Sequence, residues 1–124
     1  NHPKLLLNLM GFTAYNPGDN PLIAEATKQH ETSHMRLYPL RPIMPRWKQE
    51  MLAFRKTLES LRTSIAQLKN KTTLTDKEQK QLEEAEGYMK EITDRGLDTE
   101  EGAKKYTGEV DNYDKAGRRG GGAV

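Results

Sequence analysis

WKQEMLAFRKTLESLRTSIAQL, from Trp47 to Leu68, places seven apolar residues at intervals of 4, 3, 4, 3, 4 and 3. They are Trp47, Met51, Phe54, Leu58, Leu61, Ile65 and Leu68. A spacing that averages 3.5 residues draws one narrow apolar seam along a helix, here of about seven turns. Such a seam grips another helix; it does not enclose a substrate. The stretch therefore predicts a long helix over 46–69, entered at Pro45 and broken by Asn70-Lys71-Thr72-Thr73.

Downstream, Thr75-Asp76-Lys77-Glu78 is a capping box, in which the Thr hydroxyl and the Glu carboxylate satisfy each other's free backbone N–H groups. It opens a second helix reaching to about Arg95, with Leu82, Ala85, Met89 and Ile92 on its seam. Gly96 suits the position after a helix end, and Leu97 the hydrophobic contact that follows it. Asp98-Thr99-Glu100-Glu101 starts a short third element bearing Ala103 and Tyr106, and irregular chain is expected beyond Gly108.

Upstream, Pro39, Pro42 and Pro45 recur every third residue, the period of polyproline II, so 38–45 reads as a stiff extended strap. Before it, Asn20 and Pro21 look like an N-cap and first helical residue, opening a helix to about His34 or Met35. Leu5–Met10 is a short apolar window closed by Gly11, and Asn16-Pro17-Gly18-Asp19 is turn chemistry. The expected fold class is all-α: an antiparallel, coiled-coil-like helical hairpin, an extended Pro-rich N-terminal segment and an irregular C-terminal tail. The chain divides at this level into an arm over 1–45, the hairpin over 46–95, and a short helix with a Gly/Arg tail over 96–124. Two helices bury too little apolar surface to offset the entropy of ordering them. A third element must pack on the pair, either residues 21–35 or a partner protein.

Composition agrees with a thin core: of 124 residues only 34% are hydrophobic, while 31% are charged. Cysteine is absent, which excludes a disulfide framework and thiolate chemistry. No apolar stretch approaches the roughly 20 residues that span a bilayer. Residue 1 is Asn, which fits a processed precursor. Charge is segregated. Seven Lys/Arg accompany two Glu between Arg46 and Lys71, whereas ten Asp/Glu accompany four Lys/Arg between Asp76 and Glu101. Those two segments should attract each other when folded back.

Three motifs bear on chemistry. His30-Glu31-Thr32-Ser33-His34 fits HExxH, in which two His one helical turn apart share a face and can bind zinc while the Glu acts as a base. It departs from zinc metallopeptidases in being flanked by Lys28 and Arg36, and no third His follows. A third ligand would have to come from Glu50, Glu59 or another carboxylate. His30 and His34 are thus the metal candidates, and no resident cofactor is expected. Arg36-Leu37-Tyr38-Pro39-Leu40-Arg41-Pro42 has the R-x-x-P-x-x-P outline of ligands for aromatic grooves. Read as a strap instead, it offers Tyr38, Leu40 and Ile43 to a neighbour. Arg46, Lys48, Arg55, Lys56 and Arg62, with Arg118 and Arg119 in the tail, are the residues that would meet RNA phosphates.

No phosphate loop, nucleophile elbow or carboxylate pair stands out. The expected function is that of a non-catalytic accessory subunit stapling neighbours in a large intracellular complex, with a mitochondrial membrane-associated machine as the favoured host. Its docking residues would be the seam from Trp47 to Leu68 together with Tyr38, Leu40 and Ile43. The alternative is a ribonucleoprotein subunit that contacts RNA through 46–71 and the Arg tail. An HExxH zinc hydrolase stands third.

Overall fold

The computed structural model describes residues 18–108, and every regular element among them is helical. Expectations for 1–17 and 109–124, including the Leu5–Met10 window and the Arg118-Arg119 tail, lie outside the described residues.

The first helix, α1, is Pro21–Leu37. Asn20 caps it: its side-chain oxygen accepts from the N–H groups of Leu22 (3.1 Å) and Ile23 (3.3 Å), and Pro21 occupies a position whose N–H is not needed. The helix runs past Met35 to Leu37, and even Tyr38, in the position before Pro39 where helical backbone is disfavoured, takes helical angles (φ −51°, ψ −46°) with its N–H on Met35 O. The extended strap is not formed. Tyr38–Leu40 is a 3-10 turn, and Arg41, Ile43 and Met44 donate back to the carbonyls of Tyr38 and Leu40 at 2.8–3.1 Å. Proline fixes φ but not ψ, so the same residues serve a helical turn once their neighbours find backbone acceptors. Pro45 takes the extended pair of angles, φ −57° and ψ 146°, at the entrance to the next helix.

That helix, α2, is Arg46–Lys69, and α3 is Asp76–Asp94. The capping box of α3 is complete: Glu78 N–H donates to Thr75 Oγ1 (3.1 Å) and Thr75 N–H to Glu78 Oε1 (3.0 Å). Its far end is a Schellman motif, with Leu97 N–H on Ile92 O and Gly96 N–H on Thr93 O. Gly96 takes φ +61°, and Leu97 is buried. Residues 100–108 form α4, with Thr99 Oγ1 accepting from Gly102 N–H. Gly102 lies so close to the turn that a Cβ there would stand 2.1 Å from the carbonyl oxygen of Gly96.

The third element required by the energetics is α1. It lies along α2 in the opposite sense, His34 reaching Glu50 while His30 reaches Thr57, and α3 packs on both. Leu22, Ile23 and Ala26 of α1 join Phe54, Leu58, Leu61 and Ile65 of α2, Leu82, Ala85, Tyr88 and Ile92 of α3, then Leu97 and Tyr106. One core thus crosses the divisions at 45 and 95. The seam is spent inside the chain: Met51, Phe54, Leu58, Leu61 and Ile65 are buried by its own helices. As a surface for a partner it is therefore closed, because the chain supplied the covering helix itself. The segregated charges meet in Lys69–Glu86 (2.9 Å) and Lys71–Glu78.

Asn20 also ties α1 to α3. Its Nδ2 donates to Gln81 O (2.9 Å) and Glu84 Oε1 (3.2 Å), and Gln81 Nε2 returns a bond to Asp19 O (2.8 Å). Asn20→Ala removes a cap and two cross-helix bonds from a fully buried site. It should cost about 1–3 kcal/mol, read as a lowered midpoint in urea with an unchanged slope.

Candidate metal centre

His30 and His34 project from one face of α1 because they are four residues apart on a continuous helix. Glu50 sits in the first turns of α2, and the opposed run of the two helices brings its carboxylate between the imidazoles. Glu50 Oε1 lies 3.1 Å from His30 Nε2 and 2.8 Å from His34 Nε2, and the two Nε2 atoms are 3.3 Å apart. Among the described residues these three form the group of His and carboxylate atoms close enough to share one cation. Glu31, the expected base, is partly buried one position along and is not part of the group.

The site is built into the core. His30 is 3% exposed, with the Phe54 ring edge-on at 4.6 Å, and Phe54 in turn meets Tyr106 at 5.3 Å. His34 stands at the surface end, its side chain 35% exposed. The inner nitrogen of His30, Nδ1, lies 3.1 Å from Thr57 Oγ1, whose hydroxyl donates to Ala53 O (3.0 Å). A hydroxyl has one proton. While Thr57 gives it to Ala53, the oxygen accepts from His30 Nδ1–H, so Nδ1 stays satisfied when a metal ion replaces the proton that Nε2 otherwise gives to Glu50. This is the support that metal-bound imidazoles characteristically have.

Electrostatics favour an anionic Glu50. Burial pushes its carboxyl up, but hydrogen bonds from His30 and His34, with the charges of those imidazoles, outweigh burial and bring it from 4.5 down to about 2. A folded-state value below the unfolded one stabilises the fold above about pH 4.5, and that contribution is lost as pH falls towards 2. The thermal midpoint of metal-free protein should fall across that window. Glu50→Gln, with no carboxyl to protonate, should fall less steeply there. Burial pushes the Tyr106 hydroxyl far up, and the negative charge of Glu50 adds to it.

Two imidazoles and a carboxylate form a donor set for zinc or for iron(II). Bonds of about 2.0–2.1 Å in a tetrahedron imply ligand-to-ligand edges of about 3.3 Å. The observed edges are 2.8, 3.1 and 3.3 Å, so a match needs the Glu50–His34 side to open by about 0.5 Å and the Glu50–His30 side by about 0.2 Å. Three protein ligands leave the fourth position free.

The other expected site residues lie elsewhere. Trp47 is half-buried, with Lys104 Nζ 5.0 Å from its ring centre, and Leu68 packs at the margin of the core. Tyr38, Leu40 and Ile43 are exposed. Arg46, Lys48, Arg55, Lys56 and Arg62 are exposed along α2, Arg55 Nε donating to Asp98 O (3.1 Å) and Lys56 reaching Glu59 at 3.9 Å. Glu59, the other carboxylate considered for the metal, is exposed and is not part of the group. Thr57 was not foreseen, although its place seven residues after Glu50 sets both on one face of α2.

No protein-family model matches this chain, and neither does any curated protein or solved structure. Among the described residues no helix is long and apolar enough to cross a membrane.

Proposed function

We propose that this chain is a small helical metal-binding protein that holds one zinc ion through His30 Nε2, His34 Nε2 and Glu50 and keeps its fourth position open. The observation that carries this reading is the convergence of three donor atoms within 3.3 Å of one another, with His30 supported from behind by Thr57. A site with three protein ligands is the arrangement of zinc centres that act on a bound molecule, whereas purely structural zinc sites are closed by a fourth protein ligand.

The test is a zinc titration of the full chain followed by calorimetry and by thermal melting. One ion per chain is expected, and zinc at about 100 times its dissociation constant should add about 2.7 kcal/mol of stability. Absence of uptake at micromolar zinc refutes the reading. Thr57→Val keeps the shape of the side chain and removes the hydroxyl. It should weaken zinc binding about 10–100-fold, measured by competition with a chelator of known affinity.

A second reading, the non-catalytic accessory subunit, is supported by the exposure of Met35 (75%), Tyr38, Leu40 and Ile43 (81%) around the α1–α2 turn. Apolar side chains clustered on one connection are more than scattered surface residues and suit a protein neighbour. In that reading the docking surface moves from the seam to the turn. Ile43→Asp would then abolish co-purification of partner subunits while leaving the melting temperature unchanged. Retention of the partners by that variant refutes it.

A further inference from the structure

The open metal position needs an approach, and His30 does not provide one because it is buried behind its two companions. On the outer side, a cleft of about 480 Å³ is lined by His34, Tyr38, Arg41, Met44, Arg46, Gln49 and Glu50. Two of the three metal ligands are thus part of its wall. The cleft is large enough for a small organic molecule. Its charged side chains among the described residues are the guanidiniums of Arg41 and Arg46 and the ligands His34 and Glu50. Arg41 is held over the Tyr38 ring, its Cζ 5.3 Å from the ring centre, a contact that orients a guanidinium.

Resting on the zinc reading above, we propose that this cleft binds a phosphate-type dianion, the phosphate group of a small phosphomonoester, with one oxygen on the metal and others on Arg41. Arg41 and a divalent ion beside the Glu50 carboxylate leave more positive charge than a monoanion neutralises, and the fork of Arg matches phosphate oxygens. The 3-10 turn is what makes this possible. By folding 38–40 back, where an extended strap would lead the chain away, it sets Tyr38 and Arg41 beside the mouth of the metal site.

Cobalt(II) in place of zinc gives a visible spectrum that reports its coordination, and inorganic phosphate is the probe. Cobalt-loaded protein should show a saturable spectral change with one phosphate per metal. Arg41→Ala should weaken phosphate about ten-fold or more while taking up cobalt as the wild type does. Acetate at equal concentration should bind more weakly than phosphate. A chain that takes up cobalt but gives no response to millimolar phosphate overturns the anion site and leaves the metal centre standing. So does an Arg41→Ala variant that binds phosphate like the wild type, and acetate binding as tightly as phosphate overturns the choice of a dianion. A chain that takes up neither cobalt nor zinc overturns the metal centre, and the anion site falls with it.

Discussion

Leu58→Asp should leave the chain unfolded at room temperature. Leu58 is 1% exposed and sits in the middle of the core shared by α1, α2 and α3. Removing a buried Leu side chain costs about 2–5 kcal/mol. Placing a carboxylate there adds a desolvation cost of several more, since none of the core residues around it offers a counter-charge. A domain of this size has about 5–15 kcal/mol in total to lose. Far-ultraviolet circular dichroism and a urea titration decide the matter. A folded variant with wild-type stability would show that the seam faces outward, as a docking helix requires. Loss of the fold is what separates a helix that completes its own core from one that seeks a partner.

His30→Ala should abolish zinc binding, reducing affinity beyond the roughly 10–100-fold that removal of an outer supporting group costs. The readout is the difference between melting temperatures with and without zinc, which should vanish in the variant. His34→Ala should remove the zinc effect as well, but it should disturb the metal-free fold less, since its side chain is partly exposed whereas that of His30 is enclosed by Phe54 and Thr57. The pair of variants therefore separates ligation from packing. Zinc bound by both with wild-type affinity would place the ion elsewhere.

Much of the helical framework is readable from local chemistry. The ends of α2 and α3 follow from Pro45, the Thr75–Glu78 box and Gly96, because each of these acts on backbone groups within a turn of itself. What the seam packs against is a different kind of question. Periodicity reports that one face is apolar, and it is silent on whether the cover comes from residues 21–37 or from another molecule. The proline repeat misled for a related reason: a fixed φ is shared by the extended strap and the 3-10 turn, and ψ is set by hydrogen bonds formed only on folding. For the metal centre, His30 and His34 are visible as a pair at helical spacing, and Glu50 is one of several carboxylates open to the role of third ligand. Only the opposed packing of α1 on α2 selects Glu50 over Glu59 and brings in Thr57.

The bonds joining Asn20 and Asp19 to Gln81 and Glu84 span more than sixty residues of chain. They fasten the start of α1 to α3, which contributes nothing to the metal ligands, although the ligands themselves come from α1 and α2. Release of α1 therefore breaks the polar tie at its N-terminus, the apolar contacts of the core and the His–Glu cluster in a single event. Amide protons in α1 and in the middle of α3 should consequently exchange with solvent deuterium through one shared opening, with similar protection, and zinc should slow both by the same factor.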